Sequence, residues 1–156
     1  MGLAKQDNLP VTISTRTLGD LGERLAAEEL VKRGYRLVMA NFTVPIGRNT
    51  NNAQITGEID LIALDGETLC FIEVKTRSSD EFASPLSAVD LRKQRQIIRT
   101  ARVYRRIFGV RDVKHRYDIV TVVLGGRRPV IELFKGFWNE ARFKKRVWTG
   151  DIWENA

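Results

Sequence analysis

Two adjoining strand-like runs constrain this chain more than any other feature. Ile55–Leu64 and Thr68–Arg77 are joined at Asp65-Gly66, a dipeptide that favours a tight antiparallel turn. Along the second run one face carries Cys70, Ile72, Val74 and Thr76, and the other carries Leu69, Phe71, Glu73, Lys75 and Arg77. Apolar residues on both faces mark a strand covered on both sides. Glu73 and Lys75 interrupt one of those faces, while Glu58 and Asp60 interrupt the face of Ile62 and Leu64 on the neighbouring run. A buried carboxylate without a partner is costly, so something must neutralise this cluster.

Register decides whether the acids meet. A two-residue loop at Asp65-Gly66 sets Leu64 against Glu67, Asp60 against Phe71 and Glu58 against Glu73. A four-residue loop sets Leu64 against Leu69 and Asp60 against Glu73. Either even-length loop puts Asp60, Glu73 and Lys75 on one face within direct or diagonal reach, whereas a three-residue loop with a bulge shifts the register. Carboxylates with one ammonium in a partly buried cleft suit Mg²⁺ or Mn²⁺, hard cations that share coordination with substrate phosphates. The plainer alternative is a cross-strand salt bridge from Glu58 or Glu73 to Lys75.

The rest of the chain supplies a setting for that hairpin. Residues 1–16 are polar and aperiodic and read as a loose arm. Thr17-Leu18-Gly19-Asp20 resembles a capping box, and Leu18, Leu21, Leu25 and Ala26 recur at helical spacing before a stop at Gly34. Tyr35–Val44 reads as a strand and 45–52 as a polar loop. Ser84-Pro85 opens a helical region that runs to Phe108 and ends near Gly109. Arg116–Leu124 and Val130–Phe134 read as strands, with a turn at Gly125-Gly126. The expected order is α-β-β-β-α-β-β, an α/β sandwich around one sheet. Three domain segments follow: the arm 1–16, a domain 17–136, and an extension 137–156 that holds Trp138, Trp148 and Trp153. Tryptophan is usually buried, so the extension is expected to dock on the domain or on a protein partner.

Charge points to a polyanionic partner. The chain carries 26 Lys/Arg against 19 Asp/Glu, and residues 92–116 hold ten bases and one acid. Arg92, Arg95, Arg99, Arg102 and Arg106 recur at spacings of three and four, opposite an apolar stripe of Ile97, Ala101, Tyr104 and Phe108. Arginine forks suit phosphate oxygens, which position a nucleic acid without reading its sequence. A solvated helix face is the bland alternative, but one acid among ten bases leaves most of them without a local partner. The lone Cys70 excludes a disulfide framework, and with the lone His115 it excludes a Cys- or His-rich metal centre. Cys70 reads as core packing and His115 as a surface residue. No apolar run reaches the length of a membrane span, and the expected setting is a reduced cytoplasmic one.

Taken together, Gly57-Glu58-Ile59-Asp60-Leu61-Ile62-Ala63 and Phe71-Ile72-Glu73-Val74-Lys75-Thr76-Arg77 resemble the bacterial YraN-like family of predicted endonucleases. That family belongs to the restriction-endonuclease-like PD-(D/E)xK superfamily and is related to Holliday-junction resolvases. The resemblance extends from Gly19-Asp20-Leu21-Gly22-Glu23, through Lys93-Gln94-Arg95, to Arg116-Tyr117-Asp118-Ile119-Val120, and covers residues 17–135. It implies a three-layer sandwich with a mixed central sheet, and a Mg²⁺- or Mn²⁺-dependent endonuclease acting on branched or structured DNA. Asp60, Glu73 and the Val74 carbonyl would hold the metal, Lys75 would be the catalytic lysine, and Glu23 would complete the site from the first helix. Glu58 would stand behind these residues. Lys93 and Gln94 would join the arginine stripe in contacting nucleic acid. By analogy with resolvases, a homodimer is expected. The other functional class compatible with these residues is a nucleic-acid-binding or scaffold protein that keeps the fold and does not cleave.

Overall fold

Residues 21–77 and 89–143 are described in the computed structural model. The 1–16 arm, the Thr17–Asp20 helix start, Ser84-Pro85, Trp148 and Trp153 lie outside them. Helix α1 spans Leu21–Lys32, strands β1, β2 and β3 span Arg36–Arg48, Gln54–Asp65 and Thr68–Arg77, helix α2 spans Leu91–Ile107, and β4 and β5 span His115–Val123 and Val130–Trp138. A short 3-10 turn, Glu140–Phe143, follows. The five strands form one mixed sheet in the order β1-β2-β3-β4-β5, antiparallel except for the parallel pair β3–β4.

Both faces of the sheet are covered, as the double-sided apolar pattern of β3 requires. Ala26, Ala27 and Leu30 of α1 pack with Leu61, Ala63, Cys70, Ile72, Val74, Val120 and Val122. Ile97, Ile98, Ala101 and Tyr104 of α2 pack on the other face with Ile62, Leu69, Phe71, Tyr117 and Ile119. Alternation along β3 thus sends Cys70, Ile72 and Val74 towards α1 and Leu69 and Phe71 towards α2. Cys70 is fully buried, and burial pushes its thiol up to about 12, so it serves packing. Phe108 departs from the expected apolar stripe: it is the α2 C-cap and 48% exposed, although its ring still meets Tyr104.

Three boundaries differ from expectation. β1 continues through Pro45 to Arg48, where a polar loop was expected. Because β1 is an edge strand, Pro45 costs the sheet little. The reversal is confined to the tip, where the Asn49 side chain accepts hydrogen bonds from the Asn51 and Ala53 backbone N–H groups, each at 2.9 Å. The helix expected from Ser84-Pro85 is described from Leu91, with Asp90 as N-cap accepting from Lys93 N at 2.8 Å. Finally, β5 runs to Trp138 rather than ending at Phe134, and Trp138 stacks on Tyr117 at 5.4 Å. Residue 138 is therefore core, so the extension expected to begin at 137 is continuous with the sheet at its start.

Two glycines set how closely the helices sit. A Cβ on Gly57 of β2 would collide with the Thr100 hydroxyl of α2, and one on Gly22 of α1 with the Thr76 hydroxyl of β3. Thr100 is fully buried and its hydroxyl donates to Gln96 O, so it has nowhere to retreat. Gly57→Ala is expected to cost about 1–3 kcal/mol through overpacking, read as a lower urea midpoint at unchanged m-value. A midpoint equal to that of wild type would show that α2 can slide away freely.

Candidate active site at the carboxyl end of β3

The turn resolves the register. Asp65 pairs with Thr68, Leu64 with Leu69, and the ladder continues to Leu61 and Ile72. The turn residues are therefore Gly66 and Glu67, with Gly66 at φ +61°. One step further the ladder would set Asp60 against Glu73, and there it stops. Alternation on β2 breaks at this point: Ile59 and Ile62 both join the α2-side core, and Leu61 faces α1. Across the pair, Asn41 of β1 takes φ +53° between Ala40 and Phe42. The Asp60 carboxylate fills the gap, accepting from Val74 N at 2.8 Å.

Glu73 follows Phe71 on the α2 side and is 9% exposed. Its Oε1 lies 3.8 Å from Lys93 Nζ in the first turn of α2. Its Oε2 is buried and receives no hydrogen bond from the protein among the described residues. Burial pushes the Glu73 carboxyl up to about 8, reinforced by the neighbouring Asp60 charge and opposed by Lys93 and Lys75. Burial also raises Asp60, while the Val74 N–H, a hydrogen bond with Glu73 and the Lys93 charge pull it down. Near neutral pH Glu73 therefore favours its protonated form. A cation could take that proton's place.

Lys75 is half-buried and alternates onto the same side as Glu73. Glu58 is exposed, and its charge raises Asp60. Glu23 lies in the first turn of α1, half-buried, next to the Gly22 contact with Thr76. It approaches the end of β3 from the α1 side of the sheet, whereas Glu73 and Lys75 lie on the α2 side. Asp60, Glu73 and Lys75 are therefore brought together, and Glu23 is brought to the same strand end from the opposite face. Parallel strands commonly present ligand sites at their carboxyl ends, and this cluster occupies that end of β3.

The donor set fits a magnesium-like ion in part. Two carboxylates, one with an oxygen that has no donor among the described residues, and a main-chain carbonyl at Val74 supply hard oxygen ligands. Among the described residues no group of three or more His, Cys, Asp or Glu side chains could hold a metal alone. A cation here would complete its shell with water and substrate oxygens.

A pH dependence follows from the raised Glu73 carboxyl. The folded state binds a proton that the unfolded chain releases near 4.5, so this group's contribution to stability is greatest below that value and declines as pH rises towards about 8. The slope is at most about 1.4 kcal/mol per pH unit for one proton. Glu73→Gln is expected to flatten the decline in chemical-denaturation midpoints between pH 5 and 8. An equal slope in both proteins would place the buried proton elsewhere.

The basic helix is partly engaged. Arg92, Arg95, Arg102 and Arg106 are exposed. Arg95 lies over the Phe143 ring, Arg99 Nη2 donates to Ile46 O at 2.6 Å, and Arg102 reaches Glu140 at 3.6 Å. Gln94 is buried, with its amide donating to Val89 O at 3.0 Å, so its side chain faces the core rather than a substrate. Lys93, grouped with the stripe by sequence, pairs with Glu73 instead.

Two polar clusters were not singled out by sequence. At the amino end of β4, fully buried Asp118 accepts from Arg116 Nε at 2.7 Å, Gly136 N at 2.8 Å and Tyr35 OH at 3.0 Å. Arg116 also reaches Asp65 at 2.9 Å, and that contact holds the Asp65 carboxyl below the usual range. Asp118 was legible as the one acid within the β-branched run Tyr117–Val123. Further along, Glu140 accepts from Tyr117 OH at 2.7 Å and lies 3.2 Å from His115 Nε2. His115 is thus a half-buried, bonded residue and not the surface group its basic context suggested.

Fold and site together define a mixed α/β protein that gathers a buried glutamate, a half-buried aspartate and a half-buried lysine at a strand end beside a basic helix. The chain belongs to the uncharacterised protein family UPF0102, whose family model matches residues 22–122, from the first turn of α1 almost to the end of β4. Among its relatives, a UPF0102 protein of Caldanaerobacter subterraneus subsp. tengcongensis is 38% identical over 120 residues, covering 77% of this chain and 90% of the relative. One from Chlorobium limicola is 40% identical over 131 residues (80% and 94%), and one from Chlorobium chlorochromatii is 46% identical over 109 residues (70% and 76%). No helix among the described residues is long and apolar enough to cross a membrane.

Proposed function

We propose that this protein is a metal-dependent DNA endonuclease with a restriction-endonuclease-like fold, hydrolysing phosphodiester bonds in structured DNA. The supporting observation is the pairing of half-buried Asp60 with buried Glu73, one of whose oxygens has no donor among the described residues, and a lysine two residues further along the same strand. Asp60, Glu73 and the Val74 carbonyl would hold Mg²⁺ or Mn²⁺, and Glu23, which reaches the same strand end from the α1 face, would act on that ion only through water or substrate. Such an ion supplies Lewis-acid stabilisation of charge on the phosphoryl oxygens. Lys75 orients the attacking water and offsets the developing negative charge. Lys93 holds Glu73 in place while the site is at rest, and the exposed arginines of α2 position the phosphate backbone. A homodimer would let two such sites act on two strands.

The test is cleavage of single-stranded, duplex, flap and four-way-junction DNA with Mg²⁺ or Mn²⁺, comparing wild type with Asp60→Asn. Asn keeps an acceptor for Val74 N and removes the charge. Metal-dependent cutting by wild type and not by the variant supports the reading, and equal cutting by both sinks it. A binding or scaffold protein without cleavage is the second reading, favoured by the Glu73–Lys93 ion pair that already neutralises the site. It predicts salt-sensitive DNA binding that survives Asp60→Asn, with no cleavage by either protein.

A further inference from the structure

The extended β1–β2 hairpin does more than lengthen the sheet. Its distal part leans over the first half of α2 and is fastened there by side chains of the helix. Arg99 Nη2 donates to Ile46 O at 2.6 Å, and Gln96 Nε2 to Thr56 O at 3.1 Å. Together they enclose a cleft of about 450 Å³. One wall is cationic, with Arg92, Lys93, Arg95 and Arg99, and the other is apolar, with Ile46 and Ile55. Asp90, the one acid that lines it among the described residues, is occupied in capping the helix. Lys93 both lines the cleft and reaches Glu73 at 3.8 Å, so one side chain joins the cleft to the candidate active site.

A cationic wall facing an apolar wall suits a strand whose bases are unpaired. Phosphates take the arginines, and base or sugar faces lie on apolar side chains. A duplex hides its base faces in its own stack and could offer this cleft only phosphates. We propose that this cleft binds single-stranded DNA and leads one unpaired strand to the Asp60–Glu73–Lys75 site. The inference deepens the nuclease reading and rests on it for the destination of the strand, but binding in the cleft can be measured apart from cleavage.

The experiment is fluorescence anisotropy of the full chain in EDTA, with a labelled oligothymidylate and a blunt duplex of equal length, over a series of salt concentrations. Wild type is expected to bind the single strand at least about tenfold more tightly than the duplex. Ile46→Ala/Ile55→Ala is expected to lose about fivefold in single-strand affinity and none in duplex affinity. The exposed pair Arg92→Ala/Arg95→Ala is expected to weaken binding and to reduce the single-strand salt slope by about 0.7 for each phosphate contact removed. Far-UV circular dichroism checks that each variant is folded. Equal or tighter duplex binding by wild type overturns the proposal, as does a slope unchanged by the arginine pair in folded protein. A preference for single strands without any cleavage supports the cleft and counts against the nuclease. Cleavage by a protein with no such preference does the reverse.

Discussion

Asp118→Ala is expected to destabilise the protein by about 3–5 kcal/mol, measured as the shift of its urea unfolding curve. Asp118 is fully buried and is the shared acceptor for Arg116, Tyr35 OH and Gly136 N. Removing its carboxylate strands the Arg116 guanidinium beside one remaining acid, Asp65, and leaves the other two donors facing a cavity. The network spans the sheet: Tyr35 precedes β1, Asp65 ends β2, Asp118 lies in β4, and Gly136 lies in β5. Its loss therefore loosens four segments together. Asp118→Asn keeps the size and most acceptor capacity, and its expected loss is smaller. A loss below about 1 kcal/mol in the alanine variant would mean that water satisfies these groups as well as the carboxylate does.

Lys75→Ala is expected to reduce metal-dependent DNA cleavage by about 10²–10⁴-fold, on the proposed function, while single-strand binding in EDTA stays within about twofold. The lysine lies beside the acid pair, not on the arginine face, so its removal acts on chemistry more than on affinity. Glu73 should rise further without the Lys75 charge, because that charge is one of the two that pull it down. Activity remaining in Lys75→Ala would therefore move to higher pH. Initial rates from pH 6 to 9 at saturating Mn²⁺ read both effects. Wild-type rates in the variant would exclude Lys75 from the reaction.

Much of the architecture was legible because it is local. Alternation along Thr68–Arg77 identified a strand covered on both sides, and the pattern held residue by residue: Cys70, Ile72 and Val74 towards one helix, Leu69 and Phe71 towards the other. The helical stripe Ile97, Ala101 and Tyr104 is buried as its spacing required. The mixed α/β class followed from the same periodicities. The edge-strand identity of β1 was not available in this way. Pro45 and the Asn-rich stretch after it carry the composition of a loop, and only the absence of a neighbour on that side lets a proline sit in the ladder.

The candidate site divides along the same line. By itself the sequence determined that Glu58, Asp60, Glu73 and Lys75 interrupt apolar faces of two adjoining strands, so burial would force them to find partners. It left open whether Asp60 meets Glu73, because a shift in loop length changes every cross-strand partner. Tertiary structure decided that through the Gly66-Glu67 turn and the break in alternation at Asp60, which turns a side chain into a substitute rung of the ladder. It also decided that Lys93 serves Glu73, that Gln94 faces the core, and that Asp118 gathers donors from its own strand and from two other segments. Periodicity assigns a residue to a face, since that depends on backbone geometry a few residues long. Which distant side chain meets it there depends on how helices and strands pack, and that is settled only when the whole sheet has formed.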